Sequence, residues 1–223
     1  MGEAIGGMLS AAIGVAISPI PIIAVILMLF SKHAKRNGIA FVLGWICGLA
    51  AVGIVILVFV KPTSISDDGP TTAGSVIALI LGVLLLGLAW RNWRKRPKKG
   101  EEAPEPKWMA GIDAFTAPKA FGLAVVLSAA NPKNLLLAIL AAVSIVGAGL
   151  SGAENAVVWT IFVVIATVTV LAPLLFLVLA PHKAQHVLTT WKEWLSQNNA
   201  VVMAVLLLVI GAKLLGNGVG GLL

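Results

Sequence analysis

Lys133 stands inside a run that is otherwise apolar from Phe121 to Gly147, directly after Asn131 and Pro132. Read as a helix rising about 1.5 Å per residue, the run places Lys133 roughly 18 Å from its start, near the middle of a hydrocarbon slab about 30 Å thick. A cation, an amide and a helix breaker at that depth must face protein or water, because lipid offers them no partner. The chemistry open to them is anion binding. A helix that restarts at Pro132 presents unpaired, partly positive N–H groups, and Lys133 adds a formal charge beside them.

A second break has the same form. In the first apolar run, Met8 to Phe30, the stretch Gly14-Val15-Ala16-Ile17-Ser18-Pro19-Ile20-Pro21 sets two prolines near mid-span behind a serine. Pro19 and Pro132 each remove a backbone donor and clash with the preceding turn, so each span is expected to split or kink there. The candidate binding residues are therefore Ser18, Pro19 and Pro21 in one span and Asn131, Pro132 and Lys133 in the other.

The elements that must position them are membrane helices. With 59% hydrophobic and 11% charged residues and a mean hydropathy of +1.02, the chain carries more apolar surface than a soluble domain of 223 residues can bury. Six spans are expected: Met8–Phe30, Ile39–Val60, Gly74–Trp90, Phe121–Gly147, Ala156–Ala180 and Ala200–Leu215. Each break opens a group of three. An odd number of spans per group puts the two groups in opposite orientations, the inverted-repeat plan of many secondary transporters. The expected fold is thus an all-α integral membrane protein, with repeats at 1–90 and 119–223 and with helices 1 and 4 broken or kinked. A basic loop, 91–118, joins the repeats and carries a short interfacial helix on Trp108, Met109, Ile112 and Phe115. A second interfacial helix is expected near 184–196, where Val187, Leu188, Trp191, Trp194 and Leu195 form an apolar stripe.

Thirteen of the 16 lysines and arginines fall in the loops after spans one, three and five, whereas the opposite loops hold Lys61 beside Asp67, Asp68 and Glu154. The positive-inside rule then puts the chain in the cytoplasmic membrane with both termini outside the cytoplasm. The first run lacks a basic leader and reads as a retained helix. The net charge of +7 belongs to these loops; no aromatic-basic face accompanies it, so nucleic acid is not expected as a partner.

Several classes drop out. No acidic residue lies in mid-span, and His33, His182 and His186 lie in loops, which argues against a cation carrier or carboxylate relay. Cys47 is alone, so there is neither a disulfide framework nor a dithiol pair. No nucleophile–base set, metal-ligand cluster or phosphate loop is present, and neither enzymatic activity nor a cofactor or metal is expected. Gly44 and Gly48 match GxxxG and could admit a close helix neighbour. Thr160 and Thr167 share a face of span five and read equally as pathway lining or as packing.

At these motifs the chain resembles the LysE-type exporter superfamily, through Pro19-Ile-Pro21 and Asn131-Pro132-Lys133. The longer pattern Gly111-Ile-Asp113, Pro118-Lys-Ala120 and Asn131-Pro132-Lys133-Asn134-Leu135 resembles its GAP (peptidoglycolipid-addressing, Sap-like) family. The resemblance covers essentially the whole chain. It implies six spans in two inverted repeats and carriage of a lipid-linked envelope component, and it carries over Pro19, Pro21, Asn131, Pro132, Lys133 and Asp113. Two departures matter: span two lacks the acid common in amino-acid exporters of the superfamily, and the paired cysteines of its thiol-disulfide relatives are missing. The first functional expectation is an exporter moving an anionic or zwitterionic lipid by alternating access at a midplane site. Its implied partners are a membrane lipid or lipid-linked substrate and the bilayer, with a homodimer or an envelope-lipid export machinery as the assembly. The alternatives are an exporter of a small soluble solute, amino acid or anion, and a non-transport accessory subunit.

Overall fold

The computed structural model describes residues 1–59, 72–98, 101, 103 and 107–223, with positions 59, 73, 107, 108, 110 and 113 described by backbone alone. Of the polar turn expected at 62–72, residues 62–71 lie outside the described residues, as do 102 and 104–106 of the loop, while Thr72 opens α4. Helices account for nearly all of the rest, and no strand occurs among the described residues. They run α1 (Gly2–Ala16), α2 (Pro19–Phe30), α3 (Ala34–Phe59), α4 (Thr72–Arg94), a 3₁₀ segment (Lys107–Ala114), α5 (Ala117–Val125), a π-helical turn (Val126–Ala130), α6 (Pro132–Val146), α7 (Gly152–Leu179) and α8 (Pro181–Gly220).

Helices α3, α4, α7 and α8 are each long and apolar enough to cross a membrane. Two further candidates are bent pairs: α1 with α2, meeting at 48°, and α5 and its π-turn with α6, meeting at 59°. The chain is therefore a multi-pass membrane protein with four to six spans. Its outer surface agrees, since Ile54, Val58, Val83, Val164, Val178 and Val209 are all exposed along the long helices.

The proline positions explain both bends. Pro19 and Pro132 each occupy the first turn of a new helix, where a missing N–H costs nothing, behind Ser18 and Asn131 in extended conformation as N-caps. Pro173, by contrast, lies inside α7, which runs through it as one helix. Ahead of Pro132 the chain widens into the π-turn, the loosened geometry often found beside functional breaks.

Close approaches set the helix directions. A Cβ on Gly44 would lie 2.4 Å from the Phe121 carbonyl oxygen, and one on Gly48 would lie 3.2 Å from that of Val125, so α3 lies parallel to α5 at backbone contact. Gly82 and Gly211 similarly bring α4 and α8 together antiparallel, each glycine close to the other's carbonyl. Helix α1 runs antiparallel to α6, with Gly7 beside Ser144 and Gly14 beside Leu137. The Trp45 indole nitrogen donates to the Ala166 carbonyl at 3.2 Å and ties α3 to α7. Met8, Val15, Phe41, Trp45, Leu137 and Phe162 fill the centre between them.

Two sequence expectations change. The second interfacial helix and the sixth span form one continuous helix, α8, of 40 residues. The polar stretch from Ser196 to Asn199 carries good helix formers on either side and no proline, so nothing stops propagation. At about 60 Å the helix is twice the hydrocarbon thickness, so part of it stands outside the slab. The predicted helix at 108–115 is a 3₁₀ segment packed into the fold: Met109 and Ile112 are buried, and the Asn37 side-chain amide donates to the Phe115 carbonyl at 2.8 Å.

The Gly44 contact is testable. Gly44→Ala drives a methyl group into the α5 backbone and should destabilise the protein by about 1–3 kcal/mol. Gly87→Ala, where a Cβ meets nothing within 4 Å, should be neutral or slightly stabilising. Thermal unfolding of both variants in detergent measures the difference.

Candidate functional site

Breaking α1 at Ala16 strands its last four carbonyls in an apolar interior, where each needs a donor. All four find one. The Ile17 amide donates to Ile13 at 2.9 Å and the Ser18 amide to Val15 at 3.1 Å. The Lys133 ammonium donates to Gly14 at 2.9 Å, and the Thr169 hydroxyl donates to Ala16. Two of the four donors thus come from distant elements, α6 and α7.

The other break is tied in by the same few residues. Lys133 also donates to the Ser18 hydroxyl, which donates in turn to the Asn134 side-chain oxygen at 3.1 Å. The Asn134 amide nitrogen donates to the Leu127 carbonyl at 2.9 Å, inside the π-turn. A single directed chain therefore runs from Lys133 through Ser18 and Asn134 to Leu127 and joins the two breaks. Its members are deeply placed: Lys133 is 8% exposed, Ser18 4% and Asn134 0%.

The charge of Lys133 is balanced by dipoles. The carboxyl end of α1 carries the negative end of its helix dipole, which favours a cation there. No carboxylate is among the residues lining the cavity beside it. Two of the three ammonium hydrogens are engaged by Gly14 and Ser18, which leaves one for the cavity.

That cavity, about 190 Å3, lies where the two breaks meet α4 and α8. Ser18, Pro19, Pro21, Asn131, Pro132 and Lys133 all line it. The six candidate residues read from the two breaks are thus brought together. Asp113 lies on the 3₁₀ segment, and its side chain is outside the described residues.

The supply of backbone donors is smaller than two ordinary helix starts would offer. At α2, Pro19 and Pro21 have no N–H and the Ser18 amide is already bonded, so only Ile20 keeps a free-standing amide. At α6, Pro132 has none and the Asn131 side chain accepts from the Lys133 amide at 3.1 Å, which leaves that of Asn134. The cation, rather than the amides, dominates the positive potential here.

Sequence reasoning missed Asn92 and Asn199, which add side-chain amides to the cavity wall from α4 and α8. The Asn199 side-chain oxygen is buried without a partner. The signal was present, since both are uncharged amides at the edge of apolar runs, but each sits among other polar residues. Asn134 was also passed over as a site residue, although it follows Lys133 directly. Conversely, Thr160 and Thr167 donate to carbonyls one turn back, Ala156 and Val163, so both are satisfied within α7. Cys47 is exposed on α3.

Asn134→Ala should leave the Ser18 hydroxyl hydrogen without its acceptor and the Leu127 carbonyl without its side-chain donor, at a cost of about 1–3 kcal/mol. Thr160→Val removes only an exposed, local bond and should change stability little. Unfolding midpoints in one detergent compare them.

Residues 8–220 match the sequence family described as SfLAP: Sap, sulfolipid-1-addressing protein. No curated protein and no solved structure matches the chain.

Proposed function

The chain belongs to the Sap, sulfolipid-1-addressing protein family, and from that premise we propose that it exports an anionic envelope lipid. The family points to lipid export or envelope-lipid localisation. The finer reading is that the headgroup, a sulfate, phosphate or carboxylate, enters the cavity at the two breaks and meets the Lys133 ammonium.

The observation that carries this reading is a buried ammonium, without a carboxylate partner, lining a cavity at two helix starts. A groove of about 580 Å3 between α1 and α8 supports a lipid over a soluble solute. Its walls are almost wholly apolar, with Ile13, Ile17, Val205 and Val209 exposed along it, and it shares Gly14 with the Lys133 anchor. An acyl chain fits such a groove while its headgroup occupies the polar side. Burial of Lys133 within the fold also weighs against an accessory subunit whose lysine faces an interface.

The helix directions support six spans in two inverted repeats. Helix α3 packs parallel to α5, α4 packs antiparallel to α8, and each break opens three candidate spans. Exchange of the two groups pairs α3–α5 with α7–α1, both principal packings. Contacts of α1 with α6 and of α2 with α8 have no such counterpart, so the two halves stand in unequal states, as a carrier with one side open would. In this reading the halves rock about the Lys133 site and pass the headgroup from the cytoplasmic leaflet outward. The LysE-type relationship and the orientation with both termini outside belong to the same proposal.

A strain lacking the gene tests it, with surface and cell-associated lipids compared after rescue. Wild type should restore the anionic lipid to the surface, and Lys133→Ala, present in the membrane at equal level, should leave it cell-associated. Normal lipid placement in the deletion strain overturns the proposal.

A further inference from the structure

A second cavity of about 190 Å3 lies towards the other end of α4, α6 and α8, where they meet α1. Gly7 and Ser10 of α1, residues 74–81 of α4, Leu140 and Ser144 of α6, and Ile210 through Asn217 of α8 enclose it. It too holds a lysine. Lys213, itself exposed, lines the wall and donates to the Ser10 hydroxyl at 3.4 Å, and no carboxylate is among the described lining residues. Asn217 and Ser144 add polar groups, so this cavity shares its donor types with the Lys133 cavity, an ammonium, a serine hydroxyl and an amide from α8, with Lys213 and Asn217 exposed where Lys133 is buried.

The two are aligned along the bundle. Ser10 lies about 9 Å before the end of α1 at Ala16, and Met203 and Lys213 are about 15 Å apart along α8. Between them the core closes on Gly14, which Ile210 and Leu137 approach so closely that each terminal methyl lies 2.9 Å from where a Cβ would be. Leu137 is fully buried there. The apolar α1–α8 groove bypasses this plug on the outer side, sharing Gly14 with the Lys133 anchor and Ser10 and Ile210 with the second cavity.

We propose that the Lys213 cavity is a second station for an anionic lipid headgroup, reached from the Lys133 cavity across the plug of Gly14, Leu137 and Ile210 while the acyl chain stays in the α1–α8 groove. The proposal rests on the reading of the Lys133 cavity as the first station. Two cationic stations about one headgroup step apart divide the passage of a charge through a low-dielectric interior into two shorter transfers, each ending on a counter-ion. The small Gly14 in the plug is what lets Leu137 and Ile210 close from opposite sides.

Native mass spectrometry of the purified full chain tests this, with phosphatidylglycerol as the anionic probe and diacylglycerol, which lacks the phosphate, as the control lipid. Wild type should retain two phosphatidylglycerol molecules beyond the diacylglycerol level. Lys213→Gln should lose one of them, its site weakened about tenfold, and Lys133→Gln should lose the other. Ser10→Leu, which fills the second cavity and keeps the lysine, should behave as Lys213→Gln. Wild-type binding by Lys213→Gln overturns the second station and leaves the first intact. Loss in Lys213→Gln with full binding in Ser10→Leu also overturns it, because the lysine then meets only headgroups at the bilayer surface. Loss in Lys213→Gln with wild-type binding in Lys133→Gln removes the first station and, with it, the two-station path.

Discussion

A helix that ends inside a packed apolar interior leaves carbonyls that need donors, and the bends after α1 and after the π-turn are two such ends. Every stranded carbonyl of α1 is bonded, and two of the donors, Lys133 and Thr169, come from other helices. The Leu127 carbonyl of the π-turn is reached by Asn134. An unpaired buried carbonyl costs about 1–3 kcal/mol, so the bent pairs persist only because α6 and α7 stand where they do. Lys133 therefore does two things with one charge. It completes the end of α1, and it lines the cavity.

That double duty shapes the site. Lys133 is held by a carbonyl and a hydroxyl with no carboxylate among the described residues lining its cavity, and in the proposed function its counter-ion arrives with the lipid. The prolines at Pro19, Pro21 and Pro132 remove amides that would otherwise need partners, and they narrow the positive potential onto the ammonium. In the proposed function the broken helices supply the space, and the lysine side chain supplies the preference for an anion.

Rigid and loose contacts alternate around this centre. Glycines bring α3 onto α5 and α4 onto α8 at backbone distance, which makes each pair a stiff unit. The cavities lie where α1, α6 and the α4–α8 pair meet through polar or bulky side chains. In the proposed cycle motion falls on those looser seams, because the glycine seams have no room to slide.

Some of this is legible in the residues themselves. Both breaks fall at Pro19 and Pro132, each behind a capping residue, Ser18 or Asn131, whereas Pro173 alone leaves α7 continuous. The apolar runs mark the spans, since lipid imposes the same demand on every residue of a run. The cation at Lys133 and its depth follow from its place in such a run. Tertiary structure decided the rest. Whether Ser18 would touch Asn134, which carbonyls Lys133 and Thr169 would complete, and that Asn92 and Asn199 face the same cavity depend on how helices far apart in sequence pack. The same holds for α8: local propensity leaves the stretch from Ser196 to Asn199 free to break or continue, and its packing along α4 accompanies one continuous helix. Bond geometry and solvation act residue by residue and can be read in order, whereas a hydrogen bond across 116 positions exists only once the bundle has closed.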